Sequence, residues 1–306
     1  MALAPIHSAF RIPHSAFFSK GGQEMEQKYS ARGFWAVARA CAFFGVYLGA
    51  QVIVTSALTT LYTFLFALRH GTVDDNAVTE MVYASVMELT VIANVIAIIL
   101  CIILAKAFKK KPSLEAIDMT LSFNKKPAVL GACVFLGIFG QIAILFILNI
   151  IPFPEAWTEL LDESNSQITN ANPIIQVLSV AIMAPLAEEI VFRASIQGSL
   201  KEGMPRWISI LVASLVFGIM HANPIGIIYA TALGIMMGWI YSKFNSIIPS
   251  MVFHLAFNTT SLIISLLDGV KFITCIISCV LFALCIVFIA GIKNSDKNGD
   301  NNDEAL

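Results

Sequence analysis

Eight long stretches of this chain are dominated by apolar residues, at about 34–67, 81–106, 127–152, 173–200, 206–221, 224–243, 247–267 and 272–292. A bilayer core of about 30 Å is crossed by roughly 20 residues of α-helix. A helix satisfies its own backbone hydrogen bonds where water is absent. The pattern therefore predicts an all-α fold, a polytopic transmembrane helix bundle of about eight spans with the lipid bilayer as its main partner. The first stretch is long enough to tilt or to extend beyond the lipid. The fifth is short and depends on its neighbours.

Composition agrees with this class. Of 306 residues, 58% are hydrophobic and 13% charged, and mean hydropathy is +0.80. Soluble domains carry roughly 25% charged residues, so too few charges are present here to build a water-facing surface. A net charge of −1 argues against nucleic acid as a partner, which calls for a basic face. The six cysteines all lie in apolar stretches without CxxC spacing, so neither a disulfide framework nor a thiolate metal site is indicated.

Charged residues in the connections set an orientation. Lys20, Lys28 and Arg32 precede the first span. Lys106, Lys109, Lys110, Lys111, Lys125 and Lys126 lie between the second and third. Lys201 and Arg206, then Lys243, then Lys293 and Lys297 continue the series. The alternate connections carry Asp74, Asp75 and Glu80, then Glu155, Glu159, Asp162 and Glu163, with Arg69 and Lys271 as minor exceptions. Because Lys and Arg collect on the cytoplasmic side, the expected protein is a multi-pass one of the cytoplasmic membrane with both termini inside.

Residues 1–33 read as a disordered or short N-terminal lead. Within it, residues 1–24 fit an over-extended start ahead of Met25, which opens a short basic lead. Three helices follow over 34–152, a core of four helices over 173–267, and a last span over 268–292. The polar, Asn-rich segment 293–306 reads as a solvated, disordered tail.

Ionisable side chains inside spans are costly and mark function by default, and here they concentrate between residues 188 and 258. Glu188-Glu189 interrupts an apolar helix, with Arg193 four residues beyond Glu189 and on its face. Glu188 is turned about 100° away and is free for another task. A structural ion pair with one cavity-facing carboxylate is the simpler reading of these three. Phe217-x-x-x-His221 ends the fifth stretch, where a lone histidine is more often a cap or interface residue. His254-x-x-x-Asn258 sets an imidazole and an amide on one face, as donors to a common acceptor or as polar glue between helices. At 1.5 Å per residue, Glu188, His221 and His254 stand about 18, 22 and 11 Å from their cytoplasmic helix ends. The three helices can thus present them to one pocket near mid-membrane. Gly234-x-x-x-Gly238 has the spacing that lets helices approach closely.

Taken in order, Glu188-Glu189-x-x-x-Arg193, Phe217-x-x-x-His221 and His254-x-x-x-Asn258 resemble the successive motifs of the CPBP family, which includes the CAAX prenyl endopeptidases. Ala184-Pro185 and the run from Gly238 to Pro249 agree with it, and the resemblance covers about 173–265. It implies a CAAX-protease-like core and an intramembrane endopeptidase acting on a membrane-associated or lipidated peptide or protein. Glu188 matches the catalytic glutamate that activates water with His221. His254 and Asn258 match the groups that stabilise the oxyanion. Arg193 would hold Glu189 or meet a substrate carboxylate, with Glu189, Arg193 and Phe217 in support. Direct activation of water needs no cofactor. A divalent metal such as zinc held by Glu188, His221 and His254 is the rival, although HExxH is absent. A non-proteolytic scaffold or bacteriocin self-immunity protein retaining the motifs is the alternative function. Transport would call for related polar positions in both halves, which this chain lacks.

Overall fold

The computed structural model describes residues 20–71, 75–108, 126–267 and 270–292. The segment 1–19, the cationic connection 109–125 and the tail 293–306 lie outside the described residues, and with them most of the expected extension and the whole expected tail. All regular structure in the described residues is helical. It comprises α1 (Lys20–His70), α2 (Asp75–Ala84), α3 (Val86–Ala107), α4 (Lys126–Ile150), α5 (Glu155–Thr169), α6 (Pro173–Leu200), α7 (Arg206–Ile219), α8 (Pro224–Phe244), α9 (Ile247–Ser265) and α10 (Phe272–Gly291).

Seven of these are long and apolar enough to cross a membrane, namely α1 from Ala31, α3, α4, α6, α8, α9 and α10. The expected fifth span is α7, whose 14 residues rise about 21 Å, short of a full crossing. Two further expectations are revised. The first helix begins at Lys20, inside the segment read as a lead. The acidic connection after α4 contains a helix, α5, with Trp157, Leu160, Leu161 and Ile168 at helical spacing. At 51 residues α1 is about 77 Å long, so it tilts or projects past the lipid.

Large side chains left on the outside, such as Ile174, Leu266, Phe272 and Val287, are at least two-thirds exposed and apolar, as a hydrocarbon surrounding requires. Inside, small residues bring the helices close. A Cβ on Gly137 of α4 would meet Ala256 Cβ at 2.8 Å and Phe257 N at 2.9 Å on α9. On α8, a Cβ on Gly234 would stand 3.0 Å from Ser214 of α7, and one on Gly238 would stand 2.8 Å from Gln197 of α6. The Gly234-x-x-x-Gly238 spacing thus lets α8 lie directly against α6 and α7.

At one end of the bundle α1 clamps the α6–α7 connection. Arg39 donates to Glu202 at 2.6 Å, and a Cβ on Gly203 would meet Ala36 Cβ at 2.7 Å. Farther along, the Tyr47 ring meets Phe192 of α6 edge to face, 5.4 Å between centroids. Packing at Gly137 gives a direct test. Gly137→Leu forces α4 off α9 and should cost about 1–3 kcal/mol or more, read as a lower unfolding temperature in detergent. Gly131→Ala, where nothing lies within 4 Å of the added carbon, should hold or slightly raise that temperature.

Candidate active site

The site is assembled on α6, the helix that departs most from regular α geometry. Its hydrogen bonding is π-type over Val177–Met183 and again over Glu189–Gln197, with an ordinary turn between them. In such turns residues five apart share a face, and Ser195 Oγ donates to the Ile190 carbonyl five residues back at 2.9 Å. Glu188 and Glu189 fall at the junction of the regular turn and the second π stretch. Their carboxylates therefore diverge from a helix already reshaped at that point.

Glu189 and Arg193 are both fully buried, with Arg193 Nε 3.6 Å from Glu189 Oε1. The guanidinium lies over the ring of Phe217, 5.0 Å from its centroid. Phe217 is a hub. Its ring meets Phe192 edge to face at 5.3 Å, His221 at 5.0 Å and His254 at 6.0 Å. A position chosen from sequence only as a motif partner is therefore the surface on which both histidines and the arginine rest.

His254 stands between the two glutamates. Its Nδ1 is 3.4 Å from Glu189 Oε1, and its Nε2 is 3.5 Å from Glu188 Oε2. The Glu188 side chain is 17% exposed, unlike that of Glu189, and it faces a cavity. One turn beyond His254, Asn258 donates from Nδ2 to the Val180 carbonyl at 2.9 Å, tying α9 to the first π stretch of α6. His221 Nδ1 lies 3.2 Å from the Phe217 carbonyl. A carbonyl only accepts, so the proton of this bond is on Nδ1, and in the neutral ring Nε2 is the acceptor.

The backbone around His221 is held in a strained turn. Ala222 has φ of 60°, the left-handed region that a residue with a Cβ seldom adopts. Asn223 fixes it. Its N–H donates to the His221 carbonyl at 2.7 Å, and its Oδ1 accepts from Gly226 N at 2.6 Å as the N-cap of α8.

These groups line a cavity of about 370 Å³. Glu188, His221, His254 and Asn258 share it with Tyr229 and with Gln141 of α4. Tyr229 lies edge to face against His221, 6.0 Å between centroids. No sequence signal singles out Tyr229 or Gln141, because neither belongs to a spaced pair and both come from helices whose rotation is set by packing. For the metal alternative, no three His, Cys, Asp or Glu side chains among the described residues converge as ligands.

The match to a known family falls on the same stretch. Residues 170–260 match the family model of type II CAAX prenyl endopeptidase Rce1-like proteins. The likeness to these Rce1-like proteins thus covers residues 170–260 and not the rest of the chain. Two relatives are similar over 99 residues each, which is 32% of this chain in both cases. One, 32% identical, is the protein named "Putative membrane peptidase YdiL" of Bacillus subtilis (strain 168), of which 40% is covered. The other, 30% identical, is "UPF0177 protein YxdF" of Lactococcus lactis subsp. lactis (strain IL1403), of which 54% is covered. The matched stretch thus spans about two-fifths and about half of their own lengths. No solved structure matches the chain. Glu188, His221, His254 and Asn258 all lie inside the matched residues.

The two glutamates should respond differently to neutralisation. Glu189→Gln leaves Arg193 buried without its counter-charge, a loss of about 3–5 kcal/mol, so the unfolding temperature in detergent should fall sharply. Adding Arg193→Met should recover much of that loss. Asn223→Ala should cost about 1 kcal/mol through the lost cap.

Proposed function

We propose that this protein is an intramembrane endopeptidase of the cytoplasmic membrane, both termini inside, that hydrolyses a peptide bond in a membrane-associated or lipidated substrate. One observation carries the reading. Glu188 is the carboxylate that faces the cavity, while its neighbour Glu189 is sealed against Arg193. Two adjacent glutamates in apolar surroundings are hard to account for by packing alone, and only one of them is used by the ion pair.

In this reading Glu188 takes a proton from a water in the cavity, and the oxygen attacks the scissile carbonyl. His221, its Nδ1–H engaged by the Phe217 carbonyl, offers Nε2 on the same cavity as a second proton acceptor. His254 orients Glu188. The Asn258 amide has two N–H bonds, and the one not given to Val180 is available to the developing oxyanion. The proton held by Glu188 then passes to the departing amine. The atoms balance as one water consumed per bond cleaved, and the step needs no cofactor.

Cells expressing the protein and cells expressing Glu188→Gln, at matched membrane levels, should differ in the peptide termini found across the proteome. Loss of a general base of this kind costs about 10²–10⁴-fold, so the cleavages should disappear while the unfolding temperature holds. Identical termini in both would instead support the scaffold or self-immunity reading. With the substrate so found, activity should survive 1,10-phenanthroline. Inhibition that added zinc reverses would return the metal reading.

A further inference from the structure

The cavity is one-sided. Every residue of α6 from Glu189 to Leu200 is buried. Below the glutamates, Gln197 donates to the Gly238 carbonyl at 3.0 Å and to Ser242 Oγ at 2.8 Å, with Ile240, Tyr241 and Ile247 buried around them. This half of the bundle is packed solid. In the other half of α6, over 173–184, only Ser179 and Ala181 are buried.

The opening follows from the length of α7. Its 14 residues stop short of the far surface, so the turn holding His221 lies inside the membrane with a gap above it. α5 fills that gap. Leu161, Asn165 and Ile168 form the cavity's outer wall, and Asn223 Nδ2 touches Ser164 Oγ at 3.5 Å. Yet α5 has no buried residue. It is joined to α4 through Pro152 and Pro154, and to α6 through 170–172. An element with so little buried surface opens at low cost compared with the core beneath it.

We infer that α5 is a lid over Glu188, and that a peptide segment reaches the site from the α5 face of the bundle. The lysine distribution assigns that face to the extracytoplasmic side: Glu155, Glu159, Asp162 and Glu163 lie on α5, and Lys201, Arg206 and Lys243 at the opposite helix ends. On the peptidase reading, on which this rests, the substrate presents its scissile segment there. Access can be measured without hydrolysis, so the two readings fail separately.

The probe is a membrane-impermeant sulfonated maleimide, applied to the full-length protein in intact cells and in inverted vesicles. Ser261→Cys places a thiol on the cavity wall, where none of the six native cysteines lies. Asp162→Cys and Arg206→Cys, both at exposed positions, report the two faces and correct insertion. Ser261→Cys should label from the side that labels Asp162→Cys, about tenfold faster than from the Arg206→Cys side, and Leu161→Gln should raise the rate several-fold. Labelling from the Arg206→Cys side, equally from both sides or from neither would overturn the route. A rate unchanged by both Leu161→Gln and Ile168→Gln would overturn the lid.

Discussion

The buried pairing of Glu189 with Arg193 is the contact around which the rest of this bundle is arranged. Two opposite charges shielded from water on one helix face hold their partners in place, because separating them leaves an uncompensated charge in apolar surroundings. Arg193 lies over Phe217, which orients α7. Glu189 faces His254, which orients α9. One ion pair on α6 thereby fixes both helices that carry the remaining polar groups. It also divides the labour between two identical side chains, committing Glu189 to structure and leaving Glu188 to the cavity.

The second constraint is the interplay of helix length and bilayer depth. A short α7, rising about 21 Å, ends the helix at the α7–α8 turn, with its strained Ala222, before a full bilayer crossing is made. An irregular backbone at that depth is tolerated where it is enclosed by protein or lines a cavity. Both conditions are met, with Asn223 satisfying the turn's own polar groups and α5 lying above. The π-helical turns of α6 belong to the same economy of space. They rotate the polar residues of one helix toward different neighbours without breaking it.

Hydropathy made the membrane class and most of the spans legible in the sequence, since bilayer thickness leaves little freedom in helix length. The polar residues between 188 and 258 stood out for an equally simple reason: charge is rare at that depth, and helical spacing assigns faces within one helix. Their order also supported the family resemblance. Acidic residues concealed α5, because a helix that lies across a bundle without burying itself has no apolar run to announce it. The start of α1 at Lys20 was similarly hidden in a polar lead.

What the sequence determined alone was therefore local: which apolar segments are helices suited to lipid, and which residues are too polar to be there by chance. Tertiary structure decided relations between helices. It set which glutamate faces the cavity, placed His254 between the two carboxylates rather than beside Asn258 alone, and brought Tyr229 and Gln141 to the wall. Spacing along a chain fixes faces within a helix, but the rotation and depth of one helix against another come from close packing at residues such as Gly137, Gly234 and Gly238. That packing involves partners distant in sequence, and no periodicity records it.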